Sequence, residues 1–85
     1  MLLCRVDGNV VSTVHHPSLD GWRQVICQPV DETGKENDLP VVAVDPLGAG
    51  QHQRVIVSSD GLHTRTLVKD DKSPLRFTII SIIDE

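Results

Sequence analysis

Val41-Val42-Ala43-Val44-Asp45-Pro46-Leu47-Gly48-Ala49-Gly50, followed closely by Arg54-Val55-Ile56-Val57, is the stretch on which the fold turns. Two apolar, β-branched runs flank a turn rich in small residues, which is the pattern of two strands and their connection. Pro46 fixes its own φ and lacks an N–H, so the first of these strands ends before it. Gly48 and Gly50 tolerate positive φ and carry no Cβ, and Ala49 between them keeps the segment small. Asp45 is placed to hold the turn by accepting hydrogen bonds from the backbone N–H groups that follow it. Such a tip is expected to pack closely against something: another chain, or ligand phosphates.

Upstream, residues 2–14 alternate with period two. Leu2, Cys4, Val6, Val10 and Val14 fall on one row, with Arg5, Asp7, Asn9 and Thr13 on the other, as in a half-buried strand. Gly8 interrupts the apolar row, and an interior strand glycine marks a bulge or sharp bend of the kind that curls a sheet into a barrel. A hairpin at Asp7-Gly8-Asn9 is the competing reading. Residues 15–21 form a loop, and 22–30 read as a second strand. Residues 31–38 are a polar hairpin loop turning near Gly34. Strands over 39–44, 54–58 and 77–83 follow, with one short helix over 61–68 capped by Asp60. In the last strand Phe77, Ile79 and Ile83 lie on one row and Ile80 and Ile82 on the other.

Apolar residues on both rows mean strands covered on both faces. A chain of 85 residues with at most one short helix cannot cover both faces of its own sheet. Another copy of itself is the expected cover, so the chain reads as a homo-oligomer.

Composition narrows the function classes. A net charge of -4 leaves no excess of Lys and Arg to displace counterions from a phosphate backbone. One Trp, one Phe and no Tyr leave little for bases to stack on. Met1-Leu2-Leu3-Cys4-Arg5 shows no secretory signal, and no apolar run approaches a membrane span. Cys4 and Cys27 each sit inside a strand pattern and are read as buried, reduced thiols. His15, His16, His52 and His63 fall in separate segments without the spacing of a zinc site. Ser58-Ser59-Asp60 lacks a nucleophile elbow, and no Lys-Ser/Thr follows Gly48-Ala49-Gly50 as a phosphate loop requires. No catalytic, cofactor or metal residues are expected.

Taken together, Gly8-x-Val10-Val11-Ser12-Thr13, Leu19-x-Gly21, Gln28-Pro29-Val30-Asp31 and Val42-Ala43-Val44-Asp45-x-x-Gly48-Ala49-Gly50 resemble the bacterial microcompartment vertex proteins, the EutN/CcmL family. Ile79-Ile80-Ser81-Ile82-Ile83-Asp84 is similar to its closing strand, so the resemblance spans nearly all of residues 1–85 as one domain. The chain departs from the family's common pattern over 58–65, over 74–78, and at Ser81. The resemblance implies an all-β fold, a small five-stranded OB-like barrel. It implies a homopentamer that caps the vertices of a microcompartment shell in the bacterial cytoplasm, beside hexameric shell proteins and without enzymatic activity, nucleic acid or membrane. Asp45, Gly48, Ala49 and Gly50 are then expected at a subunit contact near the symmetry axis, where space per subunit is smallest; the alternative is that the glycines only shape a solvent-exposed hairpin. The alternative from another class is an OB-type module binding single-stranded nucleic acid or a small ligand, which needs a basic groove bearing aromatic residues.

Overall fold

A computed structural model describes residues 1–10, 17, 21–69 and 75–83. Among these residues the chain forms five strands and one helix: β1 (Leu2–Asn9), β2 (Gln24–Pro29), β3 (Val41–Val44), β4 (Arg54–Ser58), α1 (Gly61–Val68) and β5 (Phe77–Ile83). The strands close into a barrel in the order β1-β2-β3-β5-β4. Every pairing is antiparallel except β3 with β5. Closure leaves no unpaired sheet edge, and this is the OB-like outline expected from the resemblance. The expected continuation of the first strand over 11–14, most of the 15–21 loop, and 70–74 lie outside the described residues.

Alternation in β1 turns Cys4 and Val6 inward, where they meet Val25, Cys27, Ala43, Val55, Val57 and Ile79 in one buried cluster. Leu2, Val41, Phe77 and Ile82 pack on its margin. The bend at Gly8 is a bulge. Val6 pairs with Cys27 and Gly8 with Ile26, so Asp7 is an extra residue on β1. An extra residue exchanges the two rows of a strand. Gly8 therefore lies opposite Ile26 on the outer face, rather than continuing the inward row.

A second bulge corrects the reading of β5. Ile56 pairs with Ser81 and Val57 with Ile79, leaving Ile80 as the extra residue. Ile79 and Ile82 both face the core as a result, while Ile83, opposite Arg54, lies on the outer face. The two apolar rows of β5 are thus partly one inward row broken by the bulge.

Helix α1 begins where Asp60 accepts hydrogen bonds from the N–H groups of Leu62 (2.9 Å) and His63 (3.4 Å). It ends at Lys69 in the left-handed conformation, φ 59°. Buried Thr64 shares a 2.6 Å hydroxyl contact with Thr78 of β5, which anchors the helix to the barrel. Val68 and Leu67 then join Trp22 and Leu75 over Val44, forming a second, smaller core. The chain covers the end of β3's outer row with its own helix.

Candidate functional site

The loop after β3 is organised by one buried carboxylate. Asp45 Oδ1 accepts from the N–H of Leu47 and of Gly48, each at 3.0 Å, and Oδ2 accepts from Ala49 N–H at 2.8 Å. This is the Asx chemistry expected of Asp45, extended over four residues. The backbone follows the carboxylate around because Gly48 adopts φ +79°, which a residue with a Cβ rarely does.

The Asp45 side chain is fully buried, so its charge needs a partner. Arg23 supplies it: Nη1 donates to Asp45 Oδ2 and, at 2.5 Å, to the carbonyl of Ala49. Arg23 Nη2 donates to Asn9 Oδ1 at 2.9 Å. One guanidinium thus ties the loop to the end of β1. Composition and motif do not point to Arg23 or Asn9. The strand register could have identified Arg23, because Gln24 pairs with Val44 and the next position brings residue 23 to residue 45. Asp45 N–H indeed donates to the Arg23 carbonyl at 2.8 Å.

Of the expected contact residues, Gly48 and Gly50 lie on the exposed side of the loop with Pro46 and Leu47. Ala49 differs. Its side chain is turned into the barrel core and is only 1 % exposed. A methyl group that fills a hole in its own barrel is not at a bare tip, so bulk at position 49 perturbs the barrel first. Gly50 N–H donates to Gln53 Oε1 at 2.5 Å, and a Cβ on Gly50 would lie 3.3 Å from that oxygen.

Several of the polar residues weighed for chemistry are engaged in the fold. Asp60 caps α1, and Ser58 Oγ accepts the N–H of Asp60 at 3.2 Å. His52 adopts φ 69° and donates its N–H to the Val6 carbonyl, which makes it a turn residue. His63 is exposed on α1, while His15 and His16 lie outside the described residues. Among the described residues, no three His, Cys, Asp or Glu side chains gather where they could hold a metal. Cys4 and Cys27 are free thiols in the core. Burial pushes Cys4 up to about 11 and Cys27 up to about 12, which keeps both protonated and unreactive at neutral pH. Trp22 packs over Val44 and Phe77 on the main core, so both aromatic rings are used for packing. No helix among the described residues is long and apolar enough to cross a membrane.

The described surface also carries apolar residues. The outer rows carry Leu3, Ile26, Val42, Ile56 and Ile83, with Ile26 36 % exposed. Pro46 and Leu47 are also exposed.

Comparison with known proteins finds relatives along the whole chain. Residues 1–84 match the family described as ethanolamine utilisation protein EutN/carboxysome. The carboxysome shell vertex protein CcmL of Synechococcus elongatus is 36% identical over 84 residues, 99% of this chain and 84% of that protein. The bacterial microcompartment shell vertex protein EutN of Escherichia coli K12 is 33% identical over 85 residues, 100% of this chain and 88% of its own. Among solved structures, CcmL of Gloeobacter violaceus superposes with a TM-score of 0.84 at 34% identity, covering 99% of this chain and 86% of that one. The GrpN pentameric microcompartment shell protein of Rhodospirillum rubrum superposes at 0.82 and 29% identity, covering 100% and 95%.

Proposed function

The chain belongs to the EutN/CcmL family, and on that premise we propose that it is a structural shell protein whose pentamers cap the vertices of a bacterial microcompartment. The observation that carries this reading is the superposition of the whole barrel on a pentameric microcompartment shell protein, with a TM-score of 0.82. The physics of the single chain supports it, because apolar residues on the outer rows of the described strands call for a cover.

Residues 1–85 act as one vertex domain without enzymatic activity. Hexameric shell proteins of the same compartment are its neighbours, because hexagonal tiles close a polyhedron only where fivefold positions introduce curvature. The shell lies in the cytoplasm. Native mass spectrometry tests the core of the proposal: five copies are expected, and a monomer, dimer or trimer overturns the vertex role. The OB-type binding module is the weaker reading, since it requires a basic groove and free aromatic faces.

The Asp45–Gly50 loop, in this proposal, lies at a subunit contact near the fivefold axis. Gly48 and Gly50 supply the small profile that crowding there demands, and the Arg23–Asp45 pair keeps five copies of the loop in one conformation. Leu47 is 48 % exposed and can be changed without disturbing the core. Leu47→Asp would bring five like charges together at the axis, and the ring is expected to dissociate while circular dichroism stays unchanged. A pentamer of unaltered stability places the loop elsewhere.

A further inference from the structure

The hydroxyl contact that docks α1 on β5 also sets the spacing of two arginines. Arg65 follows Thr64 in the helix, and Arg76 stands two residues before Thr78, just ahead of β5. That arrangement brings both side chains to the first residue of the helix. A Cβ built on Gly61 would lie 3.0 Å from Arg65 Nη1 and 3.7 Å from Arg76 Nε. The two nitrogens are therefore no further apart than those distances laid end to end. Gly61 has an ordinary helical backbone rather than a positive φ, so what glycine provides at this position is room.

Like charges this close repel, and long side chains at a surface can swing apart into water. A counter-charge would hold such a pair together, yet the described residues offer none. Arg5 and Arg23 each have a carboxylate partner. The guanidinium groups of Arg65 and Arg76 have no hydrogen bond or ion pair among the described residues. Asp60, next to Gly61, is engaged by the N–H groups of Leu62 and His63. Arg65 is half-buried and Arg76 exposed, so the pair is seated on the helix and still open to solution.

We propose that Arg65 and Arg76 form a site for one phosphate group, free or carried by a small monoester, which accepts hydrogen bonds from both guanidinium groups beside Gly61. A guanidinium presents its donors as a planar fork that matches phosphate oxygens. A dianion neutralises two such groups at once, whereas a carboxylate compensates only one. Both arginines fall in the segments, 58–65 and 74–78, where the chain departs from the family's common pattern. The site is thus a property of this chain, added to the shell role.

Isothermal titration of the protein in its native assembly tests this, at constant ionic strength, with inorganic phosphate and separately with glycerol phosphate. Saturable binding of one phosphate group per chain is expected, and the tighter of the two ligands names the source, free ion or ester. Acetate should bind more weakly than either. Arg76→Gln removes an exposed side chain and should weaken phosphate binding about tenfold or more, with unchanged circular dichroism. Gly61→Ala keeps every charge but places a methyl group against Arg65 Nη1, which has to move aside. It should weaken binding as well, with the helix retained. Should Arg76→Gln fail to fold, Arg65→Lys keeps the charge, removes the fork and is expected to show the same loss. No saturable binding of either phosphate overturns the site, as does binding that Arg76→Gln or Gly61→Ala leaves at wild-type strength. Acetate that binds as tightly as phosphate overturns the phosphate assignment.

Discussion

Two loops of this molecule are built by the same chemistry and differ in what stands behind it. In the hairpin between β2 and β3, Asp31 Oδ1 accepts from Thr33 N–H (2.9 Å), Thr33 hydroxyl (2.6 Å) and Lys35 N–H (3.0 Å). Gly34 completes that turn with φ +88°. In the loop after β3, Asp45 takes three backbone N–H groups in a similar way. Asp31 sits at the surface, however, and all its partners are within four residues. Asp45 is buried and paired with Arg23, 22 residues away. The first aspartate shapes a turn; the second pins a loop to the barrel. Burial makes the difference, because a carboxylate removed from water must be fully partnered or it destabilises the fold.

The largest test of that contrast is at position 45. Asp45→Ala leaves three N–H groups and the Arg23 guanidinium without their acceptor, and should cost about 3–5 kcal/mol in denaturant unfolding at fixed protein concentration. Asp45→Asn should rescue little. Donors converge on both carboxylate oxygens, so an amide NH2 at either position faces other donors. Asp31→Ala should produce a clearly smaller fall by the same measurement. Equal losses at the two positions would erase the distinction between turn and pin.

A smaller effect is expected at Ala49, which the pinned loop pushes into the core. Ala49→Leu overpacks a filled barrel and should cost about 1–3 kcal/mol, visible in the unfolding curve before any change of oligomer mass. A loss of assembly with unchanged barrel stability would mean that the methyl group faces a neighbouring subunit.

The smallest effect concerns pH. The Thr33 hydroxyl bond, with the Lys35 N–H, lowers the Asp31 carboxyl below its ordinary value of 3.8. A lowered folded-state value means that this contribution is present above about pH 4 and lost as pH falls through the folded-state value. The stability difference between wild type and Asp31→Ala should therefore shrink in acid. A difference that persists below that window would assign the effect to the turn's backbone rather than to the carboxylate.

The elements that resolve most sharply from sequence are those whose signals are local. Helix α1 occupies 61–68 with Asp60 as its cap, and β4 and β5 occupy 54–58 and 77–83. Their determinants lie within a few residues: a capping side chain, an alternation, a flanking Gly or Pro. The second and third strands start two residues later than their apolar patterns suggest, at Gln24 and Val41. Pairing partners, more than propensity, set a strand's end. Trp22 contributes to the pattern yet packs on the helix.

What the sequence determined by itself was the period-two strands, the Asx turn at Asp45 and the bend at Gly8. Each follows from the steric and hydrogen-bonding preferences of neighbouring residues. Only the tertiary structure decided which rows face inward beyond each bulge. It alone turned Ala49 into the core and joined Arg23 to Asp45. A single inserted residue exchanges the two faces of a strand, and a carboxylate finds its cation through strand order and register. Those are properties of contacts between residues far apart in the chain, fixed when the barrel closes.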